Sequence, residues 1–164
     1  MTEGKGIILL NGQPPLKFQS DPDDFIVCAD GAYDWCKKAN IKADILLGDM
    51  DSIKNEPNDL PTVRVPAEKN QTDGELCLDF LTEKGFRKIE IWGAFGKRQD
   101  HFLGNLSLLY KAYRLGVDCM LRGDKENMFL AAGNVSFRTE KKSVVSILPF
   151  FDSVHIMNSK GLKY

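Results

Sequence analysis

The sequence predicts an α/β fold in which a largely parallel, Rossmann-like sheet is flanked by helices. Three observations predict it: short apolar runs recur along the chain, segments with helical periodicity lie between them, and this alternation stops near residue 133. Parallel strands that are covered on both faces have continuous runs of apolar residues, whereas half-exposed strands alternate apolar and polar residues. The length of 164 residues fits one ordinary domain with a small appendage.

The predicted strands are apolar runs of four to six residues. Each run is short and mostly aliphatic, which is typical of a strand buried on both faces. In chain order they cover residues 6–10, 25–28, 43–47, 88–92 and 117–121.

Three helices are predicted between these strands, over residues 32–40, 75–84 and 102–115. A capping-box pattern at Thr72 to Glu75 marks the start of the second helix, and Gly85 follows its last turn. Helical spacing places Leu76, Phe80 and Leu81 of the second helix toward the core. In the third helix it places four side chains on one face, namely Leu103, Leu106, Tyr110 and Tyr113.

Beyond residue 133 the pattern changes to short β-type runs over residues 135–138, 143–148 and 154–157, with no helical segment. We therefore expect an α/β domain over residues 1–133, followed at 134–164 by the beginning of a small all-β sandwich domain. About thirty residues cannot close a sandwich, so this second domain is expected to be truncated.

Composition excludes several classes of function. Lys and Arg total 22 and Asp and Glu total 23, so the net charge of −1 gives no basic field for nucleic acid. No apolar run approaches the ~20 residues that span a bilayer, and the first ten residues lack a secretory pattern. The four cysteines form no CxxC pair, which favours reduced, buried thiols. We expect a cytoplasmic protein with no membrane or nucleic-acid partner.

Acidic residues follow several of the predicted strands. Asp30 and Gly31 follow the second predicted strand, Asp49 and Asp51 follow the third, and Asp100 lies in the segment after the fourth, residues 88–92. Ligands of open α/β sheets bind beyond the carboxyl ends of the strands, so these acids could meet at one edge, together with Asp73 at the start of the second helix. Two carboxylates ~5 Å apart repel by roughly 3 kcal/mol at an effective dielectric near 20. Such a cluster needs protonation, basic partners or a cation.

Oxygen ligands without a nearby His or Cys pair favour Mg²⁺, which commonly completes its shell with water and substrate phosphates. Lys69, Lys97 and Arg98 place positive charge near the same acids, as phosphate binding requires. Each feature also has a simpler interpretation: Asp30-Gly31 as a turn, Asp49 and Asp51 as solvated loop acids, Asp73 as a favourable helix N-terminal charge, Lys97-Arg98 as a solvated pair, and His101 and His155 as structural residues. The sequence has no P-loop, GxGxxG or GxSxG motif.

Four motifs together resemble the thiamin pyrophosphokinase family. They are Asp-Gly-Ala at 30–32, Gly-Asp-Met-Asp-Ser at 48–52, Lys-Asn-Gln-Thr-Asp-Gly-Glu-Leu at 69–76, and the segment 93–101 with its Arg-Gln-Asp-His. The resemblance spans roughly residues 6–133. The four motifs in this order are far more specific than any one of them.

The resemblance implies Mg²⁺-dependent transfer of pyrophosphate from ATP to the hydroxyl of thiamin, which gives thiamin diphosphate and AMP. It assigns metal binding and catalysis to Asp49, Asp51, Asp73 and Asp100, with Asp49 or Asp51 accepting the alcohol proton. Nucleotide binding falls to Asp30, Gly31, Ser52, Lys69, Thr72 and Arg98, with Asp30 and Gly31 lining the nucleotide or thiamin pocket.

The chain departs from the family in two respects. Ala32 and Lys97 stand where the family often has Gly, and Lys97 adds a charge near the expected phosphates. The family's β-sandwich also continues further and helps to bind thiamin in a homodimer whose site draws on both subunits. A chain complete at 164 residues is therefore expected to bind ATP and Mg²⁺ with little kinase activity.

Two other classes of function remain open from the sequence. One is another DxD enzyme, a nucleotide-sugar transferase or a phosphatase that uses the same carboxylate and metal chemistry. The other is a non-catalytic module that binds a nucleotide or a metal.

Overall fold

A seven-stranded sheet organises the first part of the chain. The structure, a computed structural model, describes residues 4–53, 57, 58, 60–66, 68, 70–150 and 153–162. The chain divides into two units, residues 1–130 and residues 131–164. The strands of the first unit are β1 (Gly6–Leu9), β2 (Phe25–Ala29), β3 (Ile45–Gly48), β4 (Thr62–Arg64), β5 (Lys88–Trp92), β6 (Asp118–Arg122) and β7 (Asn127–Phe129).

The strand order is β4-β3-β2-β1-β5-β6-β7, and only the pairing of β7 with β6 is antiparallel. Strand β1 therefore lies inside the sheet, with β2 to β4 extending to one side and β5 to β7 to the other. After β4 the chain crosses back to the other side of β1, where it forms β5. The predicted α/β class with a largely parallel sheet is confirmed.

Three helices flank the sheet: α1 (Tyr33–Lys38), α2 (Asp73–Glu83) and α3 (Gln99–Arg114), and a 3-10 turn at Asp30–Ala32 connects β2 to α1. Leu78 of α2 and Leu108 of α3 belong to one buried core with Val27 and Ile89. Trp35 of α1 belongs to a second buried core on the other side of the strands, together with alternate residues such as Ile7, Leu9 and Cys28. Successive strand residues thus face different cores, which explains the continuous apolar runs.

All five predicted strands are present, with ends that differ by at most two residues from the prediction. The two strands that the sequence did not indicate, β4 and β7, have only three residues each. Such short segments carry too few residues for a periodicity to be read.

The predicted face of α3 is wrong in part. Leu103 is 61% exposed, and Tyr110 and Tyr113 are also exposed, whereas Leu108, Leu109 and Ala112 are buried. The helix carries apolar residues on both sides, so helical spacing alone selects either face. In α2, Leu81 is buried, and Leu76 and Phe80 are partly buried against the core, as the spacing predicted.

The second unit contains no strand within its described residues, 131–150 and 153–162. The predicted β runs at 135–138, 143–148 and 154–157 are therefore not strands here. A strand needs a hydrogen-bonded neighbour, and β propensity without a paired edge does not supply one. Most of the apolar side chains of this unit are exposed, for example Val144 and Met157. The small all-β domain stays a prediction.

Two further observations concern the whole described chain. All four cysteines are buried and none of them forms a disulfide, in agreement with the expectation of buried, reduced thiols. None of the described helices combines the length and the hydropathy that crossing a lipid bilayer requires.

Candidate functional site

Asp30 occupies the first position after β2, at the start of the 3-10 turn. Counted over whole residues, it is the one buried charged residue of the described chain, with 4% of its surface exposed. Its Oδ1 accepts a hydrogen bond from the Gly31 backbone N–H at 2.6 Å, and its Oδ2 accepts one from the Met50 backbone N–H at 3.0 Å. The carboxylate of Asp30 therefore joins the loop after β2 to the loop after β3.

The loop after β3 passes directly over Asp30 because residue 48 is a glycine. A Cβ atom on Gly48 would lie 2.4 Å from the Asp30 Cγ, a separation that no ordinary contact allows. The chain then reaches Met50, whose φ is 69° and whose side chain is buried in the second core. The buried Met50 anchors the loop, while Asp49 and Asp51 on either side of it are half-buried and exposed.

Asp30, Asp49 and Asp51 come together as an acidic cluster. Each contributes one carboxylate oxygen to a group whose members all lie within 4.8 Å of one another. Within the loop, the Asp51 backbone N–H donates to Asp49 Oδ1 at 3.1 Å, and the Ser52 hydroxyl donates to Asp51 Oδ1 at 2.9 Å. These bonds orient the carboxylates of Asp49 and Asp51, and they place Ser52 beside the cluster.

The electrostatics of the cluster disfavour three bare negative charges. Burial raises the pKa of the Asp30 carboxyl, the negative charge of Asp73 raises it further, and the hydrogen bonds from Gly31 and Met50 lower it. Asp73, whose negative charge contributes to the raised pKa of Asp30, is the first residue of α2. A divalent cation would remove this repulsion, and three hard carboxylate oxygens suit Mg²⁺ or Ca²⁺.

Thr72 acts as the N-cap of α2. Its Oγ1 accepts from the Glu75 backbone N–H at 3.2 Å, and Glu75 Oε2 accepts from the Thr72 backbone N–H at 2.9 Å. This capping box satisfies backbone donors that the first turn of a helix leaves open. Since α2 begins at Asp73, the cap also fixes where that carboxylate enters the site.

Asp100 and Arg98 form a pair at the start of α3. The Arg98 guanidinium donates from Nε to Asp100 Oδ1 at 3.0 Å and from Nη2 to Oδ2 at 2.5 Å. The hydrogen bond from Arg98 is the main cause that lowers the pKa of Asp100 to about 2. Both side chains are mostly exposed. Among the described residues, Asp100 does not belong to the acidic cluster formed by Asp30, Asp49 and Asp51.

Sequence reasoning missed Asn11, which follows β1. Its side chain lies against Gly31, where an added Cβ would meet Asn11 Nδ2 at 2.8 Å. Its Oδ1 accepts a hydrogen bond from Lys97 Nζ at 2.7 Å. The position of Asn11 just after an internal strand was the available signal. Of the remaining predicted site residues, Gly31 lies beside Asp30 as described, and Lys69 is outside the described residues.

Comparison with known proteins identifies relatives of one kind. A family model described as the thiamin pyrophosphokinase catalytic domain matches residues 19–121. The chain is 38% identical over 126 residues to a thiamine pyrophosphokinase of Bacillus subtilis, covering 71% of this chain and 58% of that protein. It is 28% identical over 134 residues to thiamine pyrophosphokinase 1 of Oryza sativa subsp. japonica, covering 74% of this chain and 46% of that protein.

The fold agrees with these relatives. The crystal structure of thiamine pyrophosphokinase from Bacillus subtilis superposes with a TM-score of 0.61 at 30% identity, covering 72% of this chain and 60% of that chain. The chain thus spans between 46% and 58% of the length of the curated relatives above. The matched region, residues 19–121, includes Asp30, Asp49, Asp51, Asp73 and Asp100. On this evidence the chain belongs to the thiamin pyrophosphokinase family.

Proposed function

We propose that this chain carries the ATP-binding part of an enzyme that transfers pyrophosphate from ATP to the hydroxyl of thiamin, giving thiamin diphosphate and AMP. The acidic cluster of Asp30, Asp49 and Asp51 carries the proposal, because it lies at the carboxyl edge of the sheet inside the matched family region. The relatives in this region are named thiamine pyrophosphokinases.

Mg²⁺ fits the residues that are present. The cluster offers carboxylate oxygens within 4.8 Å of one another, and its buried member, Asp30, accepts hydrogen bonds from the backbone N–H groups of Gly31 and Met50. Oxygen ligands of this kind suit a hard cation that is shared with phosphates. When bound, Mg²⁺ would offset the negative charge of the triphosphate. Asp30, Asp49 and Asp51 are the clustered residues that would hold it, with Asp73 and Asp100 as further proposed ligands.

The thiamin hydroxyl oxygen would form a bond to the β-phosphorus of ATP as the bond between that phosphorus and the α,β-bridging oxygen breaks. AMP is then the leaving group, and Asp49 or Asp51 accepts the hydroxyl proton. Such a step depends mainly on positioning and on neutralising charge. The hydrogen bonds within the loop, from Ser52 to Asp51 and from the Asp51 backbone to Asp49, orient the two carboxylates for this role.

Asp73 and Asp100 complete the proposed set of catalytic and metal-binding acids. Asp73 acts on the charge of Asp30 from the start of α2, and Asp100 orients the Arg98 guanidinium at the start of α3. We propose that the nucleotide is bound by Asp30, Gly31, Ser52, Lys69, Thr72 and Arg98. For Thr72 the support is indirect, because its hydroxyl already caps α2.

The proposal also covers residues 134–164, the oligomeric state and the cellular location. We propose that residues 134–164 begin a β domain that helps to bind thiamin, and that the enzyme works in the cytoplasm as a homodimer. The support is the family membership together with the 46% to 58% of the curated relatives' length that this chain spans.

Product analysis tests the proposed reaction. The protein is incubated with ATP, Mg²⁺ and thiamin, and each nucleotide and thiamin product is quantified. Whatever turnover this chain supports should yield AMP and thiamin diphosphate in equal amounts, and Asp49→Asn should remove it. Asp118→Asn is the matched control, because Asp118 is exposed at the amino end of β6 and away from the cluster. Release of ADP, inorganic phosphate or a free sugar would instead support a different metal-dependent enzyme.

A further inference from the structure

We propose that Lys97, positioned by Asn11, binds the polyphosphate chain of the nucleotide. The inference rests on the proposed function, since it concerns the same crevice, and it adds a cation that sets the preference for triphosphates over monophosphates. The contact between Lys97 and Asn11 joins the loop after β5 to the end of β1.

These two loops meet at the centre of the sheet. Strands β1 and β5 are parallel neighbours, but β2 lies on the far side of β1 and β6 on the far side of β5. The adjacent carboxyl ends of β1 and β5 are the switch point of the sheet, and α/β sheets bind ligands in the crevice at such a point. The Gln13 backbone N–H donates to the Phe95 carbonyl at 2.7 Å, which holds the two loops together.

The Lys97 ammonium is connected to the acidic cluster through a short series of contacts. Lys97 Nζ donates to Asn11 Oδ1 at 2.7 Å, and Asn11 packs against Gly31. Gly31 in turn donates its backbone N–H to Asp30, the buried member of the cluster. A cation held by the cluster and the Lys97 ammonium would thus lie on two sides of the same crevice, as binding of a polyphosphate requires.

The charge of Lys97 is more available to an anion than that of Arg98, which a bound nucleotide would share with Asp100. Arg98 is paired through two hydrogen bonds with the Asp100 carboxylate, so its charge is already balanced. Lys97 is held by a neutral amide, and the described part of the chain shows no carboxylate paired with it. An amide orients an ammonium without neutralising it, which leaves the full charge for phosphate oxygens.

The backbone at Lys97 has an uncommon conformation. Its φ is 54°, in the left-handed region that glycine adopts at much lower cost. A lysine at such a position carries a conformational cost that a glycine would avoid.

The test is calorimetric binding of Mg-ATP and of AMP to the full 164-residue chain and its variants. We expect Lys97→Gln to weaken Mg-ATP binding about tenfold and AMP binding less than about twofold. Asn11→Asp keeps the hydrogen bond but neutralises the ammonium, so it should weaken Mg-ATP binding about fivefold. If the hydrogen bond between Asn11 and Lys97 had only a structural role, this change would preserve it and Mg-ATP binding would stay the same. Lys88→Gln, at the exposed amino end of β5, is the control and should leave both affinities unchanged.

The inference is overturned if Lys97→Gln leaves Mg-ATP affinity unchanged, or if it weakens ATP and AMP equally. It is also overturned if Asn11→Asp binds Mg-ATP as tightly as the unaltered chain. Asp49→Asn distinguishes a failure of the role of Lys97 from a failure of the proposed function. Loss of Mg-ATP binding in Asp49→Asn with unchanged binding in Lys97→Gln contradicts only the role of Lys97, whereas an unaltered chain that binds no Mg-ATP contradicts the proposed function as well.

Discussion

The Asp30 carboxylate accepts a hydrogen bond from the backbone N–H of Met50 at 3.0 Å, which ties the acid after β2 to the loop that carries Asp49 and Asp51. The same carboxylate is buried and also accepts the Gly31 N–H. Asp30 therefore contributes both a charge to the acidic cluster and the hydrogen bond that shapes it. The first prediction separates these two contributions.

Asp30→Asn should abolish stabilisation of the fold by Mg²⁺. The amide removes one negative charge, and its single oxygen can accept only one of the two N–H groups that Asp30 satisfies. An unsatisfied buried donor costs about 1–3 kcal/mol. We expect Mg²⁺ to raise the melting temperature of the unaltered chain and not that of the variant, as measured by circular dichroism. An equal magnesium shift in both proteins would contradict the role of Asp30.

Gly48→Ala should disrupt the acidic cluster. The new methyl group would lie 2.4 Å from the Asp30 Cγ, so either the carboxylate or the loop must move. We expect a loss of about 1–3 kcal/mol in the free energy of unfolding. Gly104→Ala, in α3, is the matched control, because its added Cβ meets no atom within 4 Å. The control should gain about 0.5–1 kcal/mol from helix propensity. Similar urea midpoints for both variants would contradict the packing described for Gly48.

Thr72→Ala should destabilise the protein through the start of α2. The change removes the hydroxyl that accepts the Glu75 N–H, and loss of an N-cap costs about 1 kcal/mol. Thr72→Ser retains the acceptor and should restore most of this loss. Urea unfolding of the three proteins measures the difference. If serine and alanine were equally destabilising, the methyl group rather than the cap would be the important part of Thr72.

The Asp100 carboxyl should titrate at about pH 2 in the intact protein, because Arg98 stabilises its charged form. Its pKa is depressed, so the ion pair is complete above the ordinary pKa of an aspartate and is lost as the pH falls through about 2. Carbon-detected NMR of the Asp100 carboxyl measures this directly. In Arg98→Gln we expect the pKa to rise toward the ordinary value. An unchanged titration in that variant would show that another group holds Asp100.

Leu108→Ala and Leu103→Ala should differ strongly in stability. Leu108 is fully buried between α3 and the sheet, so its truncation should cost about 2–5 kcal/mol. Leu103 is 61% exposed, and its truncation should cost less than about 0.5 kcal/mol. Urea midpoints of the two variants decide which face of α3 covers the sheet, and the reverse order would contradict the packing described here.

Much of the sheet could be predicted from the sequence, and the reason is physical. Residues such as Ile89 and Ile91 face one core and Trp92 faces the other, so a strand buried on both faces carries few polar interruptions. The face of α3 could not be predicted, because Leu103 and Leu108 offer equally good apolar stripes in a helical projection. Only the packing of α3 on the sheet selects between them.

The acidic loops could be identified from the sequence, but their arrangement could not. Asp49 and Asp51 were indicated by their position after a buried strand. The central place of Asp30 depends on the hydrogen bond from Met50, twenty residues away, and an Asp-Gly pair by itself is typical of a turn. Likewise, nothing in the spacing of Arg98 and Asp100 says whether they pair with each other or with a ligand.

The most direct test of the account is the binding of a divalent cation to the acidic cluster, measured by an electron paramagnetic resonance titration with Mn²⁺ in the presence of an ATP analogue that cannot be cleaved between its α- and β-phosphates. We predict that the unaltered chain binds Mn²⁺ and that Asp49→Asn and Asp51→Asn each weaken this binding at least about tenfold while they remain folded. Equal Mn²⁺ affinity in the unaltered chain and in both variants would contradict the central claim that these carboxylates form a cation site.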